Sequence, residues 1–242
     1  MATMAAAPAG ASYSASQPFF VKLAWVLSLI IVFGFAQNAA LGRVNFPAVP
    51  YWVHLHGLAM LAWLALFITQ NRLAASGNLA LHRKLGWVGA GLVLVIVALG
   101  SFTTVMSLAL RRFPPFFSPP FFLSLALLGV LTFGGLVIAA IAKRRDTETH
   151  RRLMAGSVIV ILEPAFGRLL PAPLIGGELT EWIVMAIQLG FVAVIARHDK
   201  RTLGRVHPAT ITIGAVAVGV HVLISLASRT APVIALAQHI TG

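Results

Sequence analysis

The sequence predicts an all-α integral membrane protein, a bundle of about seven transmembrane helices, and three observations predict it. First, residues of the set AVILMFWYC make up 59% of the 242 residues and only 10% are charged. A soluble fold this apolar would have no polar residues left to cover its core. Second, the apolar residues come in runs of about 17–25, the length that crosses the hydrocarbon of a bilayer. Third, the basic residues sit in short clusters between those runs, as the positive-inside rule expects. The net charge of +12 therefore reads as topology. The lipid bilayer is the expected partner and nucleic acid is not, since no soluble domain carries a basic face. Cysteine is absent, which removes disulfides, thiolate metal sites, a thiol nucleophile and cysteine lipidation.

Taken in order, residues 1–17 are rich in Ala and Ser and carry no charged side chain. They lack the basic start of a signal peptide and read as a flexible tail before a retained first span. A single transmembrane domain is expected over 18–228, with spans near 18–36, 51–70, 86–108, 119–142, 152–170, 180–196 and 208–228. Residues 229–242 are too short to cross and read as an interfacial tail. The stretch Arg111-Arg112-Phe113-Pro114-Pro115-Phe116-Phe117-Ser118-Pro119-Pro120 cannot be helical through its prolines. Its phenylalanines suit the headgroup region or a lid over the bundle.

Connecting segments set the orientation. Lys22 and the segments around 70–84, 143–152 and 197–205 hold 13 of the 18 Lys and Arg, and Arg43, Arg111, Arg112, Arg168 and Arg229 hold the rest. This asymmetry places the amino terminus in the cytoplasm and the carboxyl terminus outside, which an odd number of spans satisfies.

Polar groups inside the spans are the candidates for chemistry. His82 and His150 each open a span at the same side, in the echo His82-Arg83-Lys84-Leu85 and His150-Arg151-Arg152-Leu153. One span separates them, so their helices run in the same direction. A duplicated helix pair would produce this. His82, Gly86, Gly89, Val93, Ile96 and Gly100 share one helical face, whose glycines allow a close neighbour. His82 and His150 either anchor the spans to lipid phosphate or face each other and share a ligand. At the other side, His54 and His56 lie just inside the second span and His221 in the outer half of the last. His56, Met60, Trp63 and Gln70 share a face. Glu163 lies near the midplane of the fifth span, where a charged carboxylate needs a partner or a proton. Arg168, Gln188, His54, His56 and His221 are its candidate partners. Pro164 frees the carbonyl of Val160, so a kink is expected there.

His82-Arg83-Lys84-Leu85-Gly86 before a glycine-rich helix, and His150-Arg151-Arg152-Leu153-Met154 before Arg168 and Pro171, resemble the paired helix-start motifs of a widespread bacterial family of polytopic membrane proteins. That family is filed only as a domain of unknown function. The resemblance covers about residues 50–200 and implies a multi-pass protein of the bacterial inner (plasma) membrane, with the His-Arg pairs as family features. It implies no activity. Leu153 stands where the family pattern has an aromatic.

Three classes of function fit these residues. The first is binding of haem b or a divalent metal, since neutral imidazole ligates both and no thiolate competes. His82 with His150 would hold an inner haem, and His54 or His56 with His221 an outer one. A metal would instead take His56, Glu163 and His221. The second is proton-coupled transport of a small molecule, with Glu163 as the carrier of the proton. The third is an accessory or assembly subunit of a larger membrane complex, or a homo-oligomer, docked through glycine-rich helix faces. A membrane enzyme acting on a lipid or quinone is a further class. No glycine-rich phosphate loop, His-Glu-x-x-His motif or cluster of histidine boxes is present, which sets those enzyme classes aside.

Overall fold

The computed structural model describes the backbone of residues 9–242 and the side chains of residues 17–242. Among the described residues every regular element is helical. The helices are α1 (Ala9–Ala40), α2 (Tyr51–Ala75), α3 (Leu79–Ala109), α4 (Pro119–Ala142), α5 (Thr147–Val160), α6 (Glu163–Leu169), α7 (Ala172–Ile175), α8 (Gly177–Leu203), α9 (Pro208–Ala227) and α10 (Ala231–Thr241). Six of them, α1 to α4, α8 and α9, are long and apolar enough to cross a membrane. Large apolar side chains such as Phe33, Leu58, Trp87, Leu94 and Ile211 face outward, as they do where the surroundings are lipid rather than water. The chain is an all-helical, multi-pass membrane protein.

The first helix starts earlier than the sequence suggests. Of the expected flexible tail, residues 1–8 lie outside the described residues, and α1 is already helical from Ala9. Gly10 alone interrupts positions 9–16, and alanine, the best helix former, fills three of them. At the other terminus, the expected interfacial tail contains α10, which packs Ala237 against Leu108 and Leu123 of α3 and α4.

The fifth span is not one helix. Pro164 has no N–H, and its ring collides with the carbonyl four residues back. Accordingly α5 stops at Val160, Ile161 and Leu162 form a turn, and α6 begins at Glu163 with proline in its first turn. The expected kink is thus a full break. α5 is the hub of the bundle: Arg151 to Leu153 and Ala155 to Val160 are all buried, so apolar and small residues line it on every side. Gly156 is required there, since a Cβ at that position would lie 2.6 Å from Ile213 of α9. A Cβ at Gly34 would similarly lie 2.9 Å from the Ala165 backbone oxygen, which brings α1 onto α6.

The α3 stripe packs as its spacing predicts. Gly89, Val93, Ile96 and Gly100 are buried, and a Cβ on Gly100 would meet Val130 of α4 at 2.9 Å and His56 of α2 at 3.3 Å. The proline-rich segment after α3 folds over the end of the bundle. Phe117 stacks on Phe121 at 5.5 Å and covers Gly177, where a Cβ would lie 2.3 Å from its ring.

Candidate functional site

Polar side chains gather in three places. The first lies at the start of α3 and α5. Asn78 caps α3 by accepting from the Leu81 amide at 3.3 Å, and Asp146 caps α5 by accepting from the Thr149 amide at 3.1 Å. Four residues after each cap comes a histidine. His82 Nδ1 lies 3.3 Å from the Gln70 carbonyl on α2, and His150 Nδ1 lies 2.8 Å from the Ala140 carbonyl on α4. A carbonyl only accepts, so each Nδ1 carries the proton and donates, and each Nε2 keeps its lone pair. Gln70 returns the contact by donating from Nε2 to the His82 carbonyl at 3.1 Å. The two hairpins α2–α3 and α4–α5 therefore repeat one device: a cap, then a histidine tied to the preceding helix. The two rings stand 6.4 Å apart at an interplanar angle of 84°. The two rings are thus neighbours, set edge to face.

The second cluster holds the arginines of the same motif. The sequence places Arg151 and Arg152 in a basic topological segment, but both are buried. Arg152 Nε donates to Asp199 Oδ1 on α8 at 3.0 Å, and its terminal nitrogens pair with Asp199 and Glu148. Arg151 pairs with Glu148 at 2.5 Å and lies 4.5 Å above the Phe20 ring of α1. The other oxygen of Asp199 accepts from the His207 amide at 3.0 Å and the Thr210 hydroxyl at 2.6 Å. A buried charge needs such partners. This knot ties α5 to α1, α8 and α9. Sequence reasoning missed Asp199 and Glu148. The signal for them was composition, because a chain with six acidic residues rarely leaves one idle beside a buried arginine.

The third place is a cavity of about 1780 Å³ at the opposite end, bounded by α1 to α4, the broken fifth segment, α8 and α9. Its deep end carries a chain of hydrogen bonds. The Val160 carbonyl, freed by Pro164, accepts from Gln188 Nε2 at 3.1 Å. Gln188 Oε1 then accepts from His221 Nε2 at 3.0 Å. His221 Nδ1 lies 2.7 Å from Glu181 Oε1, at ion-pair distance though off the line of a good hydrogen bond. Glu163 lines the same cavity and lies within electrostatic reach of Glu181 and Arg168. Arg168 does not pair with it directly. Its guanidinium donates to the Pro164 carbonyl at 2.6 Å and lies 4.1 Å over the Phe35 ring.

The residues named from the sequence thus divide. His82 and His150 are together. Glu163, Gln188, His221, Arg168, His56 and His54 all line the cavity, but they are not one ligand set. Among the described residues no three His, Asp or Glu side chains gather around a metal position. The set of His56, Glu163 and His221 is not assembled, because His221 is committed to Gln188 and Glu181. The outer haem pair fails for the same reason, and His54 is exposed and stacked near Phe46 at 6.5 Å. Glu181, absent from the sequence reading, proves to be the acid in contact with His221. No family model, curated protein or solved structure matches the chain.

Proposed function

We propose that the chain is a seven-span protein of the bacterial inner membrane that holds one haem b between His82 and His150. One observation carries the reading: the 6.4 Å separation of the two rings. His82 and His150 would hold the group between them, each through the Nε2 that its carbonyl bond leaves free. Each Nδ1–H is fixed by a carbonyl, the usual second-shell support of a metal-bound imidazole. Haem is favoured over a bare divalent ion because the site offers only two neutral ligands. A porphyrin brings four nitrogens of its own and neutralises the ferrous charge. Arg83, Lys84, Arg144 and Arg145, exposed at the same end, would meet its propionates. The expected result is a Soret band in the purified protein, lost in His82→Ala and in His150→Ala. Colourless protein with no metal by elemental analysis would sink the proposal.

The count of seven rests on α5 and α6 acting together as a broken span. Their 14 and 7 residues rise roughly 30 Å, the thickness of the hydrocarbon. The orientation, amino terminus cytoplasmic, rests on the basic bias. Setting aside the engaged Arg151, Arg152 and Arg168 still leaves 11 against 4.

Proton-coupled transport is the second reading. The observation favouring it is Glu163, a carboxyl facing a large cavity beside a break in its own span. Broken helices at a membrane midplane commonly mark a transport site. Uptake into proteoliposomes under a proton gradient tests it, and flux unchanged by Glu163→Gln would remove this carboxyl from the mechanism.

A further inference from the structure

The geometry points to the cavity as a binding site for a neutral amphiphile, one whose head offers a hydroxyl or carbonyl and whose body is a flat ring or chain. The inference depends neither on His82 and His150 nor on transport. At the deep end two carboxyls, Glu163 and Glu181, are matched by two basic groups, Arg168 and His221, the last 2.7 Å from Glu181. Arg168 lies close enough to Glu163 to act on it but is held away by the Pro164 carbonyl and Phe35. Arg43 and Arg112 also line the cavity and are exposed. Arg112 already donates to the Ala48 carbonyl at 2.6 Å, and water screens both. The deep end is thus balanced as it stands. A ligand bringing one more charge into this low-dielectric space would leave it uncompensated, at a cost of several kcal/mol.

Hydrogen-bonding capacity, by contrast, is in surplus. The Glu163 carboxyl makes no hydrogen bond or contact ion pair among the described residues. His56 Nδ1 and Thr103 Oγ1 are buried without partners, and both residues line the same cavity. With Gln37 Oε1 of α1, likewise buried without a partner at the cavity, four polar groups from α1, α2, α3 and α6 are left for a ligand or water to satisfy. The remaining wall is apolar and aromatic, with Phe35, Trp52, Leu61 and Phe133 among it. A largely apolar wall with a few unspent polar groups is the usual form of a small-molecule site. Two sources would supply such a molecule, a quinone or a long-chain alcohol of the membrane.

The test uses the full chain in nanodiscs, with its tryptophan fluorescence as the reporter, since Trp52 of its five tryptophans lines the cavity. Four probes of matched chain length are titrated: decylubiquinone, decanol, decylamine and decanoate. At least one neutral probe is expected to bind tenfold or more tighter than both charged ones, and which neutral probe binds tells quinone from alcohol. Glu163→Gln, which keeps an acceptor, is expected to retain binding within about threefold, whereas Glu163→Leu and Thr103→Val lose tenfold or more. Charged probes binding as tightly as neutral ones would overturn the inference. So would neutral binding that survives both Glu163→Leu and Thr103→Val, and so would failure of both neutral probes to bind. Wild-type selectivity alone decides the matter if a variant does not fold.

Discussion

Gln188 is a neutral side chain in the middle of an apolar helix, yet it closes two separate openings in the bundle. Its amide nitrogen satisfies the carbonyl that Pro164 strands, and its oxygen fixes His221. The hydrogen bond from His221 in turn places a proton on its Nε2. Replacing Gln188 with Leu removes both contacts and leaves two buried polar groups unmet, each worth about 1–3 kcal/mol. The expected outcome is a loss of roughly 2–4 kcal/mol in detergent unfolding, a larger loss than Leu substitution at an exposed polar residue such as Gln238. Arg152 is the other side chain of this kind. Its role was invisible because a basic residue next to a span reads as a lipid anchor until its acid partners are known. Here Asp199, 47 residues away, is the partner.

Among the elements, α5 shows how much a cap decides. Asp146 accepts from the Thr149 hydroxyl at 2.6 Å and from its amide at 3.1 Å. These bonds, the hydroxyl first, hold its carboxyl below the usual range. A depressed carboxylate contributes stability above its unfolded value, near pH 4, and loses that contribution as pH falls through the folded value. Asp146→Ala is expected to cost about 1 kcal/mol, and the first turn of α5 is expected to fray in wild-type protein on acidification below pH 4. Hydrogen exchange at the Thr149 and His150 amides measures both. The same cap in α3 uses Asn78, which does not titrate near this range, so its first turn serves as the internal control. The duplicated cap-and-histidine device also explains why the His-Arg echo is legible in the letters: four residues of spacing encode one local structure twice.

At the scale of the whole molecule, the absence of cysteine makes topology directly measurable. In the orientation proposed above, Ser76→Cys, between α2 and α3, is labelled by an impermeant maleimide only from the cytoplasmic side. Ser118→Cys, before α4, is labelled only from the outside. Labelling in the reverse sense would overturn the orientation, and labelling of both from one side would break the alternation of α2 to α4. Both sites lie at helix ends away from the cavity's deep wall.

The sequence by itself determined that the chain crosses the membrane several times, where most of its long helices run, and which α3 face packs inward. Those features follow from local composition and helical period, which need no knowledge of neighbours. It also located the break at Pro164, because proline acts on the carbonyl four residues back. Only the tertiary structure decided what each polar group does. Distance in space, not spacing in sequence, brought His82 to His150, gave Arg152 to Asp199, and matched His221 with Glu181 and Gln188. Each of these pairings links different helices. In a bundle, the rotation of each helix about its axis is fixed by packing against all the others at once. That is why His221 joins Gln188 and Glu181 in the wall of the cavity.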